Sequence, residues 1–172
     1  SDAPVRGLLA DADLAIEAHG LESDAGEKLD VAALRRAHPS LVVLSITPYG
    51  LSGPWAARKA TEFTLQAESG SIGIRGLMGH EPFQAGGRLG EWAAGSYGAV
   101  AALAAVLGAR ATGRGEHVDL SILETANMVF ANFSETMNRL MNGSAADPQH
   151  AFLSPVVETP SIEPTADGYV GF

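Results

Sequence analysis

The stretch VAALRRAHPSLVVLSI, residues 31–46, decides the fold. Its first part, VAALRRA (31–37), spaces apolar residues as a helix does and leaves Arg35 and Arg36 for the exposed side. His38-Pro39 stops that helix, because the residue before proline is driven out of the α region. LVVLSI (41–46) is then continuous and rich in β-branched residues, as a strand buried on both faces of a parallel sheet must be. Upstream, DLAIEA (13–18) is a second short apolar run, following an aspartate. Strand, helix and strand make a βαβ unit and place the chain in the α/β class.

Working toward the C-terminus, TPYGLSGPW (47–55) is a proline- and glycine-dense loop at the carboxyl end of a parallel strand, where such sheets receive ligands. A tight structural turn is the equal alternative. TEFTLQAE (61–68) predicts a helix with Thr61 as N-cap, ended by the turn Ser69-Gly70-Ser71. Residues 71–90 are glycine-rich and irregular. A helix from about Trp92 to Ala111 follows, closed by Gly113 and Gly115. EHVDLSI (116–122) reads as a strand, and 123–143 as an amphipathic helix ended by Asn142-Gly143. Residues 145–164 read as a proline-containing connection, and Ala166-Asp167-Gly168 as a hairpin turn before YVGF. A strand from Tyr169 to Phe172 has no partner after it, so the chain reads as part of a longer one.

The bulk numbers narrow the function. With 172 residues and 46% hydrophobic content, the chain can bury one core. A formal charge of -9 gives no electrostatic basis for binding nucleic acid or an anionic membrane. The absence of cysteine excludes disulfides, thiolate zinc sites and cysteine nucleophiles, and fits a cytoplasmic protein. His19, His38, His80, His117 and His150 are scattered and predict no metal site. SDAPVRGLLADAD has no basic region before an apolar core, so no signal peptide is read. Trp92–Ala109 carries no charge over 18 residues, but eight of them are alanine and three glycine. It is read as a buried helix of a soluble protein, with a membrane span as the alternative.

Standard catalytic motifs fail. ESGSIG has Ser69 where a nucleophile elbow needs glycine, and TGRGEHVD (112–119) has Val118 where a dinucleotide loop needs its third glycine. No acidic grouping forms a calcium loop, and nothing selects a glycosidase pair.

Taken in order, several segments resemble the class III CoA-transferase family, which includes formyl-CoA transferase, carnitine CoA-transferase and α-methylacyl-CoA racemase. They are ADLAIEAHG (12–20), LVVLSITPYGLSGPW (41–55), LQAESG (65–70), GEWAAG (90–95), ALAAVLGARATGRGEHVDLSILETA (102–126) and PTADGYVGF (164–172). The most specific is the run R-x-T-G-x-G-x-x-V-D-x-S from Arg110 to Ser121. The resemblance implies a Rossmann-like parallel-sheet large domain, incomplete at both ends, over residues 1–144. Residues 145–172 would be the connection and first strand of a small domain. It also implies two chains interlocked as linked rings, or association with the missing remainder of the protein.

The family's catalytic aspartate stands four residues before a glycine at the start of the alanine-rich helix, and Glu91, with Gly95, occupies that position here. The implied chemistry moves CoA between an acyl-CoA and a carboxylic acid through an enzyme-bound anhydride and thioester. CoA is then a substrate and no permanent cofactor is implied. A helix start favours the negative charge by about 0.3 to 1 kcal/mol. A glutamate there also serves simply to complement the helix dipole, and a catalytically silent scaffolding half is the alternative function. Glutamate is one methylene longer than aspartate.

Two further stretches are implied to contact CoA: Ala18, His19 and Gly20, where transferases usually read Asn-Phe-x-Pro-Gly, and Lys59, Ala60, Thr61 and Glu62. Lys59 could meet a phosphate as a point charge, or be a solvated surface lysine. Thr61 falls where the racemase branch has a histidine base, and threonine is no base near neutral pH, so racemisation is not implied. His19 and His117 read as a loop residue and a strand-edge residue, Trp55 and Trp92 as core or pocket packing, and Asp119 and Glu124, matched in the family motif, as structural residues fixing the strand-to-helix turn.

Overall fold

The computed structural model describes residues 3–18, 30–72, 81, 83–130 and 162–171. The elements in order are α1 (Ala3–Ala10), β1 (Leu14–Ala18), α2 (Val31–Ala37), β2 (Val42–Thr47), α3 (Glu62–Glu68), α4 (Leu89–Thr112), β3 (His117–Ser121), α5 (Ile122–Phe130), β4 (Ile162–Pro164) and β5 (Tyr169–Gly171). Helix α1 has no counterpart in the sequence reading, since a short segment holding Pro4 and Gly7 lacks a strong helical signal.

The chain forms two compact units, Ser1–Ile72 with Gln84–Ala131, and Gly73–Phe83 with Asn132–Phe172. The boundary expected after residue 144 and the helix end expected at Asn142-Gly143 lie outside the described residues.

In the first unit, β1, β2 and β3 form one parallel sheet in that order. The α/β reading and its strand–helix–strand origin hold. Strand β2 is central, and Leu41, Val42, Val43, Leu44 and Ser45 are all buried, as expected of a strand covered on both faces. Asp30 caps α2 by accepting the Ala33 N–H, and the His38 N–H closes the helix on the Leu34 carbonyl.

Helix α4 returns the chain from β2 to β3, and its small residues set how closely it lies on the sheet. Gly90, Ala94, Gly98, Ala102, Ala105 and Ala109 are its buried positions, recurring every three or four residues. At Gly98 a Cβ would stand 3.3 Å from Leu44 Cδ2 and 3.5 Å from Ile46 Cδ1, so a larger residue would lift the helix off the sheet.

The expectation of a buried helix is therefore corrected: one face is buried and the other is not. Val100, Leu103 and Leu107 are exposed, and Trp92 is 77% exposed. By length and composition α4 could also cross a membrane. The packing role expected of Trp92 is corrected as well. Close apposition to the sheet selects alanine and glycine, which turns Trp92 outward, whereas Trp55, 45% exposed in its loop, packs edge-on against Tyr49 with ring centres 5.7 Å apart.

The motif from Arg110 to Ser121 is explained by local geometry. Gly113 ends α4 in the left-handed conformation at φ 71°, with its N–H on the Ala109 carbonyl. Gly115 lies so close to the Leu41 carbonyl that any Cβ would collide with it, while its N–H donates to Pro39 O at 2.8 Å. Asp119 accepts the Leu51 N–H at 3.1 and 3.2 Å, so it pins the loop after β2 rather than the strand-to-helix turn expected of it. Ser121 Oγ accepts the Glu124 N–H at 3.2 Å, at the start of α5.

In the second unit, β4 and β5 pair antiparallel, with Pro164 opposite Tyr169. The predicted turn is present, and the Thr165 N–H donates to Gly168 O at 2.8 Å. Tyr169 thus finds its partner strand before it, within the stretch read from sequence as a connection.

Candidate functional site

The sheet's carboxyl edge gathers the ends of its three strands and the start of the helix that carries Glu91. Strand β1 ends there at Ala18, β2 at Thr47 and β3 at Ser121. Helix α4 begins at the same edge: a Cβ on Gly90 would lie 3.2 Å from Ile122 Cγ2, immediately after β3. Carboxyl edges of parallel sheets are where α/β proteins place their ligands.

Glu91 is the third residue of α4 and the acidic residue of its first turn. The helix starts at Leu89, three residues earlier than its apolar run indicates, so Glu91 lies within the helix rather than ahead of it. Its side chain is 26% exposed, and Oε2 lies 3.2 Å from Arg88 Nε, whose side chain is 58% exposed. An ion pair this open to water contributes between zero and about 1 kcal/mol, so a substrate can displace it at little cost. Gly95, one turn further on, has nothing within 4 Å of where a Cβ would be, which leaves open space along that face.

Arg88, at the N-cap of α4, makes no side-chain cap. The cap comes instead from α3. Glu62 Oε1 accepts the Gly90 N–H at 2.9 Å and the Gln66 Nε2–H at 2.8 Å. A carboxylate on a first-turn amide satisfies a donor that the helix itself cannot, and complements the dipole. Glu62 Oε2 is buried and has no hydrogen-bond partner among the described residues.

Gln66, fully buried, completes the support. It donates to Ala85 O at 3.1 Å and accepts the Ala85 N–H at 2.9 Å, the pairing a strand neighbour would make. The glycine-rich turn leading into α4 is thereby tied to α3. Sequence reading missed Gln66, because a buried glutamine clasping a backbone residue 19 positions away leaves no local pattern.

Helix α3 is itself well anchored. Thr61 and Thr64 form a reciprocal capping box, each side chain accepting the other's backbone N–H. Thr61 is thus engaged in starting the helix. Ala60 is buried in the core with Leu44, Leu65, Ala94, Leu120 and Ile122, which makes its side chain a packing group. Lys59 is exposed on the approach to α3. Ala18 is exposed at the end of β1, and His19 and Gly20 lie outside the described residues.

The loop after β2 carries a further cluster. Tyr49 donates to Glu68 Oε2 at 2.8 Å, and Arg58 pairs with Glu68 Oε1 at 2.8 Å. The Arg58 guanidinium lies 4.9 Å from the Trp55 ring centre and 5.6 Å from that of Tyr49. Burial, then the Glu68 carboxylate that accepts its proton, raise the Tyr49 hydroxyl above its ordinary value. Among the described residues no group of three or more His, Cys, Asp or Glu could hold a metal.

Comparison with known proteins gives the family of the chain. The sequence model of CoA-transferase family III covers residues 2–171. The chain is 33% identical over 169 residues to the succinate–glutarate CoA-transferase of Agrobacterium fabrum, spanning 96% of this chain and 41% of that protein. It is 30% identical over 168 residues to subunit BbsE of the succinyl-CoA:(R)-benzylsuccinate CoA-transferase of Thauera aromatica, spanning 96% of this chain and 39% of that subunit. The crystal structure of a CAIB/BAIF family protein from Brucella suis superposes with a TM-score of 0.76 at 29% identity, covering 96% of this chain and 43% of that one. The chain therefore spans about two fifths of the length of the curated relatives it matches. The chain belongs to CoA-transferase family III.

Proposed function

We propose that the protein moves CoA from an acyl-CoA to a carboxylic acid, with Glu91 as the acyl-accepting carboxylate. The observation that carries this reading is the position of Glu91, in the first turn of a helix whose start α3 fixes at the sheet's carboxyl edge. The reading rests on family membership for its chemistry and on that position for its nucleophile.

Glu91 attacks the thioester carbonyl and expels CoA thiolate, forming a mixed anhydride. The thiolate then attacks the Glu91 carbonyl, releasing the donor acid and leaving a glutamyl thioester. The acceptor carboxylate attacks that thioester, and the returning thiolate takes the new acyl group, which regenerates the Glu91 carboxylate. A carboxylate is a weak nucleophile, so the rate depends on position and on first-turn N–H groups facing the developing oxyanion. In this reading Arg88 holds Glu91 between turnovers and yields it to substrate.

Lys59 would meet a phosphate of CoA as a point charge, and Ala18, His19 and Gly20 another part of it. CoA acts as substrate rather than as a resident cofactor. The acyl-CoA and acid are its partners, together with a second copy or the rest of the protein; neither nucleic acid nor membrane is among them. The proposed compartment is the cytoplasm.

A second reading, a silent scaffolding half, is favoured by the outer face of α4, where Trp92, Val100, Leu103 and Leu107 are exposed. Such a face suits association with another chain. One experiment separates the two. The full-length protein is incubated with succinyl-CoA and quenched with hydroxylamine, and the peptides are mapped by mass spectrometry. A hydroxamate on Glu91, absent in Glu91→Gln, supports catalysis; full transfer activity in Glu91→Gln establishes the scaffold.

A further inference from the structure

The face of the sheet turned away from α4 carries a polar array that the transfer chemistry does not use. Residue alternation puts Glu17 of β1, Ser45 of β2, and His117 and Asp119 of β3 on that face, with Glu17 opposite Ser45 and Ser45 opposite Asp119. Ser45 is fully buried and Glu17 is only 7% exposed. Ser45 Oγ donates to Glu17 Oε2 at 3.1 Å and lies 3.0 Å from His117 Nε2. The Asp119 carboxylate is engaged elsewhere, on the Leu51 N–H.

A serine hydroxyl has one hydrogen. Once it is given to the Glu17 carboxylate, the ring nitrogen can bond the same oxygen only as a donor. The hydrogen bonds therefore run in one direction, from His117 Nε2–H to Ser45 Oγ and from Ser45 Oγ–H to Glu17. A carboxylate buried this deeply is retained only where hydrogen bonds satisfy it. The array ties all three strands together one residue before Ala18.

We infer that Glu17, Ser45 and His117 form a hydroxyl-bridged relay that fixes the carboxyl end of β1, making Ser45 and His117 positioning residues for CoA. The second part rests on the proposed function, in which the segment starting at Ala18 contacts CoA. The relay itself does not.

The test has two arms on the intact protein. Nitrogen-15 NMR of the histidine ring reads the tautomer, and calorimetry with CoA itself reads the binding. His117 carries its hydrogen on Nε2 in the native protein and loses that preference in Ser45→Ala. The Kd for CoA rises about tenfold in Ser45→Ala and in His117→Leu, each of which removes a hydrogen bond of the relay. His117→Gln, whose amide nitrogen replaces the donor, stays within about twofold of native. His117 is partly exposed at a sheet edge, so its variants remain informative if Ser45→Ala fails to fold.

A native His117 with its hydrogen on Nδ1 overturns the relay. Native affinity for CoA in His117→Leu overturns the positioning role. A native protein with the Nε2–H tautomer and no affinity for CoA overturns both the positioning role and the CoA contact at Ala18, and leaves the relay established.

Discussion

Glu62 Oε1 accepts the Gly90 N–H at 2.9 Å, so a side chain of α3 caps the helix that carries Glu91. This bond spans 28 residues of sequence and replaces the local cap that Arg88 does not provide. Glu62→Ala leaves both the Gly90 N–H and one Gln66 Nε2 hydrogen without their acceptor. The variant is predicted to lose about 1 to 3 kcal/mol of stability, read from urea unfolding. A loss below about 0.5 kcal/mol would mean that water replaces the carboxylate without cost.

Gly95 and Gly108 both face open space on α4, so alanine at either position should stabilise the helix by up to about 1 kcal/mol. Their effects on transfer should differ. Gly95→Ala adds a methyl group one turn below Glu91 and is predicted to lower kcat/KM for the acyl-CoA at least about tenfold. Gly108→Ala should leave it unchanged. Equal activity in the two variants would show that the thioester does not approach along the Gly95 face.

The two glycines of the Arg110–Ser121 motif should separate by mechanism. Gly115→Ala drives a Cβ into the Leu41 carbonyl, and a loss of about 3 kcal/mol or more is predicted. Gly113→Ala only strains a left-handed cap, at a cost of about 1 to 2 kcal/mol. Urea midpoints of the two variants check this order.

Tyr49 predicts a pH dependence at the alkaline end. Burial and the Glu68 carboxylate raise its hydroxyl from the ordinary 10.0, so the fold favours the protonated form. Its contribution to stability is then fully present below about pH 10 and is lost as pH rises through the raised value. The stability difference between the native protein and Tyr49→Phe should be constant from neutral pH to about 10 and shrink above it. A difference that grows above pH 10 would reverse the assignment.

The parts of the fold legible in sequence are those set by short-range physics. LVVLSI announces a strand covered on both faces, Thr61 announces the start of α3, and Gly113 the end of α4. What was hidden depends on distant partners. The start of α4 lies three residues before its apolar run because Glu62, far away in sequence, supplies the cap, and Leu89-Gly90 gives no helical signal of its own. Trp92 misled for a related reason: large apolar side chains usually point inward, but a helix pressed onto a sheet at Gly98 buries its smallest residues. The position of Glu91 was legible because it rests on an ordered set of motifs, whereas Gln66 and the Glu17–Ser45–His117 array exist only once the strands are in register.

The chemistry at Glu91 can be read directly with an isotope. When the acceptor acid carries oxygen-18 in its carboxylate, the anhydride route leaves one labelled oxygen on the attacking residue after the first complete transfer. Full-length protein taken through one turnover with succinyl-CoA and labelled acid, then digested and analysed by mass spectrometry, should carry a single oxygen-18 on the side chain of Glu91. Complete transfer of CoA with no label on Glu91 would contradict the account.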